Sequence, residues 1–226
     1  MGKADLHLHS NCNDGVDTVA AMFEWVQEHT DLDVISITDH DIFEAQVLAE
    51  ELCQQKKYRF EYVKGAEMTT LRGHLLALFI NKPIETLLPV EDTVRLIHEQ
   101  GGLAIIPHPM SMATYSIGES EIEKVMRSEH PLAYFDGIET INPSVAGRIV
   151  HKQVREKNKK WNLARFAGSD GHMKEVIGDA RTLFDGQSAN DFRAALLQKR
   201  TRVSGHYHGF KPHFDLFWKR LGQKKS

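Results

Sequence analysis

The chain of 226 residues lacks an apolar run long enough to cross a membrane, since runs such as residues 75–80 are far short of the roughly 20 residues that a bilayer requires. Its only two cysteines, Cys12 and Cys53, form no C-x-x-C pair, and its N-terminus has no apolar stretch of signal-peptide length. Glycine (16) and proline (7) are too few, and hydrophobic residues (41%) too many, for a disordered or collagen-like chain. These features predict a compact cytoplasmic protein without a membrane partner.

Neither sign of charge dominates the chain, which has 28 basic and 31 acidic residues, but the two signs are unevenly distributed. Residues 199–226 hold eight basic residues and one acidic residue, which leaves 20 basic and 30 acidic residues before them. Such a run is usually solvated, although contact with nucleic acid or with an anionic substrate is the alternative. We expect residues 1–205 to form one domain and residues 206–226 a basic C-terminal tail or helix.

Strand-length apolar runs alternate with helix-length amphipathic segments along nearly the whole chain. The strand candidates are residues 4–8, 34–38, 60–63, 75–80, 103–106, 137–141, 164–167 and 180–184. The helix candidates are residues 18–29, 42–55, 90–100, 119–129, 145–157 and 188–199. Strands and helices that alternate in this order are expected to give parallel strand pairs. About seven such units in one domain predict an α/β fold and favour a closed barrel over an open sheet.

Histidine is abundant, with 13 residues, and two of them lie in the first strand candidate. Asp5, His7 and His9 alternate with leucines, so they share one face of a strand, with about 7 Å between successive members. A single metal ion can join the two imidazoles if both rings lean inward. Two ordinary half-buried histidines are the alternative interpretation.

Imidazole and carboxylate groups also follow the other strand candidates. The candidate ligands at or near strand ends are His7, His9, Asp14, His40, Glu67, His74, His108, Asp170 and His172. Imidazole with carboxylate is the ligand chemistry of Zn, Mn and Fe. Nine ligands exceed the three or four that one tetrahedral ion uses, so two or three divalent ions are implied, with Glu67 or Asp170 as the bridging residue.

His40 lies between two carboxylates, Asp39 and Asp41. A carboxylate commonly accepts the second N–H of a ligating imidazole and so fixes its tautomer. Asp41 is also expected to be the N-cap of the helix that follows.

Five sequence motifs resemble, in order, those of the PHP (polymerase and histidinol phosphatase) family. They are DLHLHS at residues 5–10, TDHD at 38–41, GAEMTT at 65–70, PHP at 107–109 and GSDGH at 168–172. The resemblance extends from about Lys3 to Phe184 and is to a short stand-alone member, because the chain is too short for a polymerase subunit. It implies a single PHP-type domain, a distorted seven-stranded (β/α) barrel, with phosphoesterase activity at a cleft that binds two or three metal ions.

The resemblance also implies how the ions share these ligands. One ion would be held by His7, His9, Glu67 and Asp170. A second would be held by Asp14, His40 and His172, and a third by Glu67, His74 and His108. The Asn-Asp-Gly context of Asp14 resembles the Ser-Asp-Gly variant of family members that act on nucleotides and other small molecules.

No serine or cysteine has the context of an activated nucleophile, so a hydroxide that bridges two metal ions is the expected attacking group. His9, Glu67 and Asp170 would be the catalytic residues. The expected reaction is hydrolysis of a phosphate monoester, a small nucleotide-like or metabolite substrate. Candidate phosphate donors outside the metal ligands are Arg72, Asn142 and Arg148.

Three alternatives remain open from the sequence. The first is a nuclease that acts on short oligonucleotides, which the basic C-terminal segment favours. The second is a non-catalytic metal-binding regulatory module, which would be expected to lack some of the ligands, whereas this sequence keeps all of them. An amidohydrolase barrel also begins with H-x-H, but it usually has a modified lysine where Glu67 would bridge. A second H-x-H, His206 and His208, follows the last unit and is expected to lie at the surface.

Overall fold

The computed structural model describes residues 1–207, Leu216 and Lys219, with no account of the side chains of residues 145 and 146. Its strands are β1 (Gly2–Asp5), β2 (Val34–Ile35), β3 (Glu61–Tyr62), β4 (Gly65–Thr70), β5 (Gly73–Leu78), β6 (Leu103–Ile106), β7 (Gly137–Ile141), β8 (Ala164–Ala167), β9 (Ala180–Phe184) and β10 (Arg202–Gly205). Its α-helices are α1 (Val19–His29), α2 (Glu44–Gln55), α3 (Val90–Glu99), α4 (Glu119–Met126), α5 (Val145–Trp161) and α6 (Ala189–Leu197). The α/β class predicted from the sequence is therefore confirmed.

The strands form two five-stranded mixed sheets, in the orders β10-β9-β1-β2-β3 and β4-β5-β6-β7-β8. The β1-β2-β3 and β6-β7-β8 pairs are parallel, whereas β9 is antiparallel to β1 and β10, and β5 is antiparallel to β4 and β6. The expected parallel pairing therefore holds for β1-β2-β3 and for β6-β7-β8, and it is wrong for the pairs that involve β4, β5, β9 and β10. Leu71 and Arg72 alone connect β4 to β5, and a two-residue connection joins antiparallel neighbours, since a parallel crossover needs a dozen residues or more.

The closed seven-stranded barrel is not confirmed, because no ladder joins the two sheets in the part of the chain that the structure describes. Single contacts replace a ladder at both junctions. On one side, His40 and Glu67 form an isolated bridge. On the other, the Thr182 hydroxyl lies 2.9 Å from the Ala167 nitrogen and 3.0 Å from its carbonyl oxygen. The two sheets therefore meet at their junctions through isolated contacts and not through a continuous ladder.

Aliphatic and aromatic side chains from both sheets fill the space between them. Val34 of β2 and Leu6, which directly follows β1, meet Ile105 and Phe166 of the second sheet, and Phe192 of α6 completes this cluster. Each fully buried side chain of this kind contributes about 1.5–3 kcal/mol to folding. The packed interior fixes the directions of the strands and thus the positions of the residues that follow them.

Helix ends are set by local hydrogen bonds. Thr18 and Ser144 cap α1 and α5 through their hydroxyls, and Ser188 with Asp191 forms a capping box at α6. Asp41 is not the N-cap of α2, which was the expectation: α2 begins at Glu44, and Asp41 has a φ of 59°. Its carboxylate accepts instead from the Thr69 nitrogen at 2.6 Å.

The proposed C-terminal tail, residues 206–226, falls largely outside the described residues. Of its described members, Leu216 packs against Val16, Met173 and Val176, and Lys219 pairs with Glu175 at 2.7 Å. None of the described helices has both the length and the apolar character that spanning a bilayer would require.

Candidate metal centre

The nine candidate ligands predicted from the sequence come together at one end of the two sheets. Most of them lie just beyond the end of a strand: His7 and His9 after β1, His40 after β2, His108 after β6, and Asp170 and His172 after β8. Glu67 and His74 lie within the antiparallel pair β4–β5. Every one of the nine belongs to a group of three whose ligand atoms lie within 4.8 Å of one another. We call these nine residues the metal centre.

The carboxylate of Glu67 lies at the middle of the metal centre and is 1% exposed. Its Oε1 is 2.9 Å from His108 Nε2 and 3.1 Å from His74 Nδ1. Its Oε2 is 3.2 Å from the Nε2 atoms of both His7 and His9, and 3.6 Å from His40 Nδ1. One carboxylate therefore divides its two oxygens between two groups of imidazoles, which is the arrangement of a residue that bridges two ions.

Asp170 is the second carboxylate shared by several imidazoles. Its Oδ1 is 3.3 Å from His9 Nε2 and 3.5 Å from His7 Nε2. The same oxygen is 3.6 Å from His172 Nδ1. Asp170 thus connects the residues that follow β1 with the loop that follows β8.

Asp14 lies at the more exposed side of the metal centre. Its Oδ2 is 2.8 Å from His172 Nε2, and its Oδ1 is 3.6 Å from His9 Nδ1. The rings of His40 and His172 stack on either side of His9, with centroids 4.8 and 4.3 Å away. The turn in which Asp14 lies therefore presents its carboxylate back towards the imidazoles.

The donor set fits a group of divalent cations. His9 is buried, yet neither of its ring nitrogens has a partner in hydrogen-bond geometry, and the same holds for Nδ1 of His40. Buried polar atoms are ordinarily satisfied, so such atoms aimed at shared carboxylates indicate a missing positive partner. Neutral imidazole and carboxylate oxygen are ligands that Zn, Mn and Fe accept.

Burial and the close approach of carboxylates and imidazoles shift the pKa values of residues in the metal centre. Burial opposes ionisation of Glu67, but attraction to His7 and hydrogen bonds from His108, His7 and His74 outweigh it and hold the pKa of Glu67 well below its ordinary range. Burial also lowers the pKa of His9, but the carboxylates of Asp170 and Glu67, whose oxygens lie 3.3 and 3.2 Å from its Nε2, prevail and raise it to about 10. The carboxylates are therefore ionised and attract cations, whether protons or metal ions.

Glu139 is a site residue that the sequence interpretation missed. It lies on β7, is fully buried, and accepts from His7 Nδ1 at 3.1 Å and from the His108 backbone nitrogen at 2.7 Å. An acidic residue within the buried run GIETI was the available signal. Because the opposite ring nitrogen of His7 faces Glu67, Glu139 fixes the tautomer that leaves His7 Nε2 free to act as a ligand.

Asn142 was predicted to bind the phosphate, and the structure gives it a different set of partners. Its amide nitrogen donates to Glu139 Oε2 at 3.1 Å and to Asp170 Oδ2 at 3.2 Å, while its amide oxygen accepts from the Ser144 nitrogen at 3.0 Å. Both amide hydrogens are thus engaged by carboxylates. This arrangement does not support a direct donor role towards a substrate.

The carboxylates of Asp5 and Asp39, which precede the histidines that follow β1 and β2, accept hydrogen bonds from loop residues and not from imidazoles. Asp39 accepts from the backbone and the hydroxyl of Ser10, so it does not fix the tautomer of His40 as expected. Asp5 belongs to none of the ligand groups and accepts from Ser169 and Gly178, which anchors the loop that contains Asp170. Burial raises the pKa of Asp5 to about 6, although these hydrogen bonds oppose the shift.

The expected strand 4–8 also ends early, since β1 stops at Asp5 and leaves His7 and His9 beyond the ladder. Leu8 is held there by an isolated bridge to Gly171. Two members of the metal centre, His108 and Asp170, have positive φ angles of 28° and 52°. Strained backbone of this kind persists where the surrounding structure enforces it and is frequent at functional sites.

The two predicted arginine donors are exposed. Arg72 lies in the β4–β5 turn, and Arg148 lies in the first turn of α5, where its guanidinium is 5.9 Å from the Tyr207 ring centroid. His206 is 68% exposed and 3.7 Å from Asp179, consistent with the surface position expected for it, whereas His208 lies outside the described residues.

A family model described as PHP-associated matches residues 149–201. The chain is 31% identical over 166 residues to the uncharacterised protein MJ1587 of Methanocaldococcus jannaschii, and the alignment covers 69% of this chain and 90% of that protein.

Two solved structures share the fold. A two-domain protein of Bacteroides vulgatus, which contains a predicted PHP-like metal-dependent phosphoesterase, aligns with a TM-score of 0.69 and 20% identity over 96% of this chain and 69% of its own. Endonuclease Q, in complex with a 27-mer duplex that has an abasic lesion at the active site, aligns with a TM-score of 0.58 and 14% identity over 86% of this chain and 56% of its own.

Proposed function

This chain belongs to the PHP (polymerase and histidinol phosphatase) family, and on that premise we propose that it is a metal-dependent phosphoesterase that hydrolyses a phosphate monoester. The observation that carries the proposal is Glu67, whose two carboxylate oxygens face five imidazoles within 3.6 Å. A carboxylate in that position can hold two ions side by side. Two adjacent divalent ions lower the pKa of a water between them and neutralise the oxygens of a phosphate when they are bound.

The chain's own residues supply the frame for that chemistry. His9, Glu67 and Asp170 form the inner side of the metal centre, where the buried atoms of His9 lack other partners. Glu139 accepts from Nδ1 of His7 and from the backbone nitrogen of His108, which fixes the His7 ring and the loop that contains His108. The proposed division of ligands is His7, His9, Glu67 and Asp170 for one ion, with Asp14, His40 and His172 for a second and Glu67, His74 and His108 for a third.

A covalent phosphoenzyme is a weaker hypothesis for this site. The Ser10 hydroxyl, the nearest candidate nucleophile in the first motif, is buried and donates to Asp39. A nucleophilic hydroxyl needs a base that accepts its proton and an open path to the substrate. We therefore assign the attack to water.

A nucleotide-like substrate is favoured by an aromatic ring beside the metal centre. Tyr115 is 47% exposed and its ring lies edge-on to His74, with centroids 5.5 Å apart. Exposed aromatic rings commonly stack on nucleobases. We assign the phosphate contacts outside the metal ligands to Arg148 and Arg72, both of which are exposed cations.

The second candidate function is a nuclease that acts on short oligonucleotides. It is favoured by the excess of basic residues in 199–226 and by the shared fold of endonuclease Q. A substrate panel separates the two: nucleoside monophosphates, sugar phosphates and an oligonucleotide with internal diesters only, each with Mn, Zn or Fe. We expect inorganic phosphate release from a monoester. Cleavage of the oligonucleotide alone would support the nuclease, and no hydrolysis of any ester would contradict both.

A further inference from the structure

His151 is a buried residue of α5 whose two ring nitrogens are both engaged. Its Nε2 is 3.1 Å from the backbone nitrogen of Asn142, and its Nδ1 is 3.0 Å from the hydroxyl of Tyr207. A backbone N–H can only donate, so Nε2 is the acceptor and the imidazole proton is on Nδ1. Nδ1 therefore donates to the Tyr207 hydroxyl, 56 residues further along the chain, and the neutral ring joins the segment of Tyr207 to that of Asn142.

Asn142 continues this chain of hydrogen bonds into the metal centre. Its side-chain nitrogen reaches Glu139 Oε2 and Asp170 Oδ2, and its backbone nitrogen is the group that His151 holds. Glu139 in turn orients His7. His151 is thus connected through Asn142 to the carboxylate of the candidate ligand Asp170, without being a ligand itself.

The packing around His151 depends on a close approach of α5 to the loop that contains Asn142. Gly147 lies one turn earlier on α5, where an added Cβ would be 2.6 Å from the Asn142 carbonyl oxygen and 2.9 Å from Cε1 of His151. Only glycine lets the helix come this close to the loop that contains Asn142. The side chain of His151 is completely buried, so water does not replace the imidazole as the acceptor.

We propose that His151 is a positioning residue of the metal centre: it fixes Asn142, which holds the carboxylates of Asp170, a candidate ligand, and of Glu139, which orients His7. Tyr207 holds the imidazole in the required tautomer. This inference rests on the metal centre of the proposed function but not on the reaction. It also makes Tyr207, from the segment expected to be a solvated tail, part of the support of the site.

Two substitutions of similar polarity distinguish positioning from a general contribution to stability. In His151→Gln, the end of the amide group takes the place of Nε2 and can accept from the Asn142 N–H. In His151→Asn, the shorter amide reaches only the place of Nδ1. The matched control is His98→Asn, because His98 is an imidazole on α3 with a buried side chain, and its two ring nitrogens contact Asp136 and the Leu132 carbonyl oxygen, neither of which belongs to the metal centre.

The measurement is the affinity for Mn and Zn of the metal-free full chain, by competition with a chelator. We expect about 10- to 100-fold weaker binding in His151→Asn, the range usual for residues that orient ligands, and affinity close to wild type in His151→Gln and His98→Asn. Equal affinities in His151→Asn and the wild type would overturn the proposal, as would an equal loss in His98→Asn or an equal loss in His151→Gln.

If His151→Asn does not fold, the tautomer in the wild type provides the test. Long-range 15N–1H correlation spectra are expected to show the His151 proton on Nδ1, and a proton on Nε2 would overturn the proposal. Wild-type protein that binds metal but hydrolyses no ester would remove only the proposed reaction. Wild-type protein that binds none of the ions would overturn the metal centre and this inference together.

Discussion

Glu67→Gln keeps the size of the side chain at the middle of the metal centre and removes its charge. The structure places five imidazoles within 3.6 Å of the two carboxylate oxygens, and the side chain is almost fully buried. Because the side chain is buried, bulk water does not compensate for the lost charge, and the amide NH₂ points a donor towards the position of one ion. We expect the variant to fold but to lose metal affinity at both neighbouring positions.

The magnitude follows from the two oxygens. A contact made by a charged group contributes about 1.5–3 kcal/mol, so two such contacts amount to about 3–6 kcal/mol. At about 1.4 kcal/mol for each tenfold change, metal affinity should fall about 100- to 10,000-fold. Turnover of a phosphate monoester at a fixed, limiting metal concentration should fall with it.

The assay is a chelator-competition titration of metal binding, with the phosphatase rate measured on the same samples. The matched control is Glu51→Gln, which makes the same chemical change at an exposed position of α2. We expect no change in the control. If Glu67→Gln bound metal and hydrolysed substrate as the wild type does, the assignment of Glu67 as the bridging carboxylate would be refuted.

Three further predictions concern the support of the site and the stability of the fold. Gly147→Ala places a Cβ 2.6 Å from the Asn142 carbonyl oxygen, so we expect a loss of about 1–3 kcal/mol in unfolding free energy and weaker metal binding. In the control Gly118→Ala, no atom lies within 4 Å of the new Cβ, and we expect neither quantity to change. Denaturant and metal titrations measure the two quantities. Burial lowers the pKa of His98, but hydrogen bonds to Asp136 and to a backbone carbonyl outweigh it and raise the pKa above its ordinary 6.5. The folded state thus binds the proton more tightly, and this stabilisation is complete below about pH 6.5 and lost as the pH rises through the folded pKa. His98→Asn should therefore lower the Tm more at about pH 6 than at about pH 9, and a difference that grows with pH would contradict the assignment. Metal at 100 times its Kd should raise the unfolding free energy by about 2.7 kcal/mol and the Tm by about 5–11 °C in calorimetry, and an unchanged Tm after chelation would show that the folded state binds no metal more tightly than the unfolded chain does.

The convergence of the nine residues could be predicted from the sequence because residues that follow apolar runs mark the ends of strands. Imidazoles and carboxylates that directly follow apolar runs, as His108 does after β6 and Asp170 after β8, are brought to one edge whenever the strands run in parallel. His74 reaches the same place by another route, since the β4–β5 hairpin returns it to a position 3.1 Å from Glu67. The convergence is an observation of the structure, and the role of each residue as a ligand stays a prediction.

The residues behind the ligands could not be identified in the same way. Glu139 lies inside a strand, where only the register of its neighbours determines which face it occupies. Asn142 reads as a turn residue, and His151 as an ordinary helix residue, because their partners are fixed by the packing of α5 against β7. Closure of the sheets likewise depends on ladders between distant strands, which periodicity along the chain does not encode.

A crystal structure of the Mn- or Zn-loaded protein, with anomalous scattering recorded at the absorption edge of that metal, tests the central claim most directly. We expect at least two anomalous peaks among the nine residues of the metal centre, with Glu67 in contact with two of the ions. Peaks only at other places on the molecule, or none at all in protein soaked with saturating metal, would contradict the account.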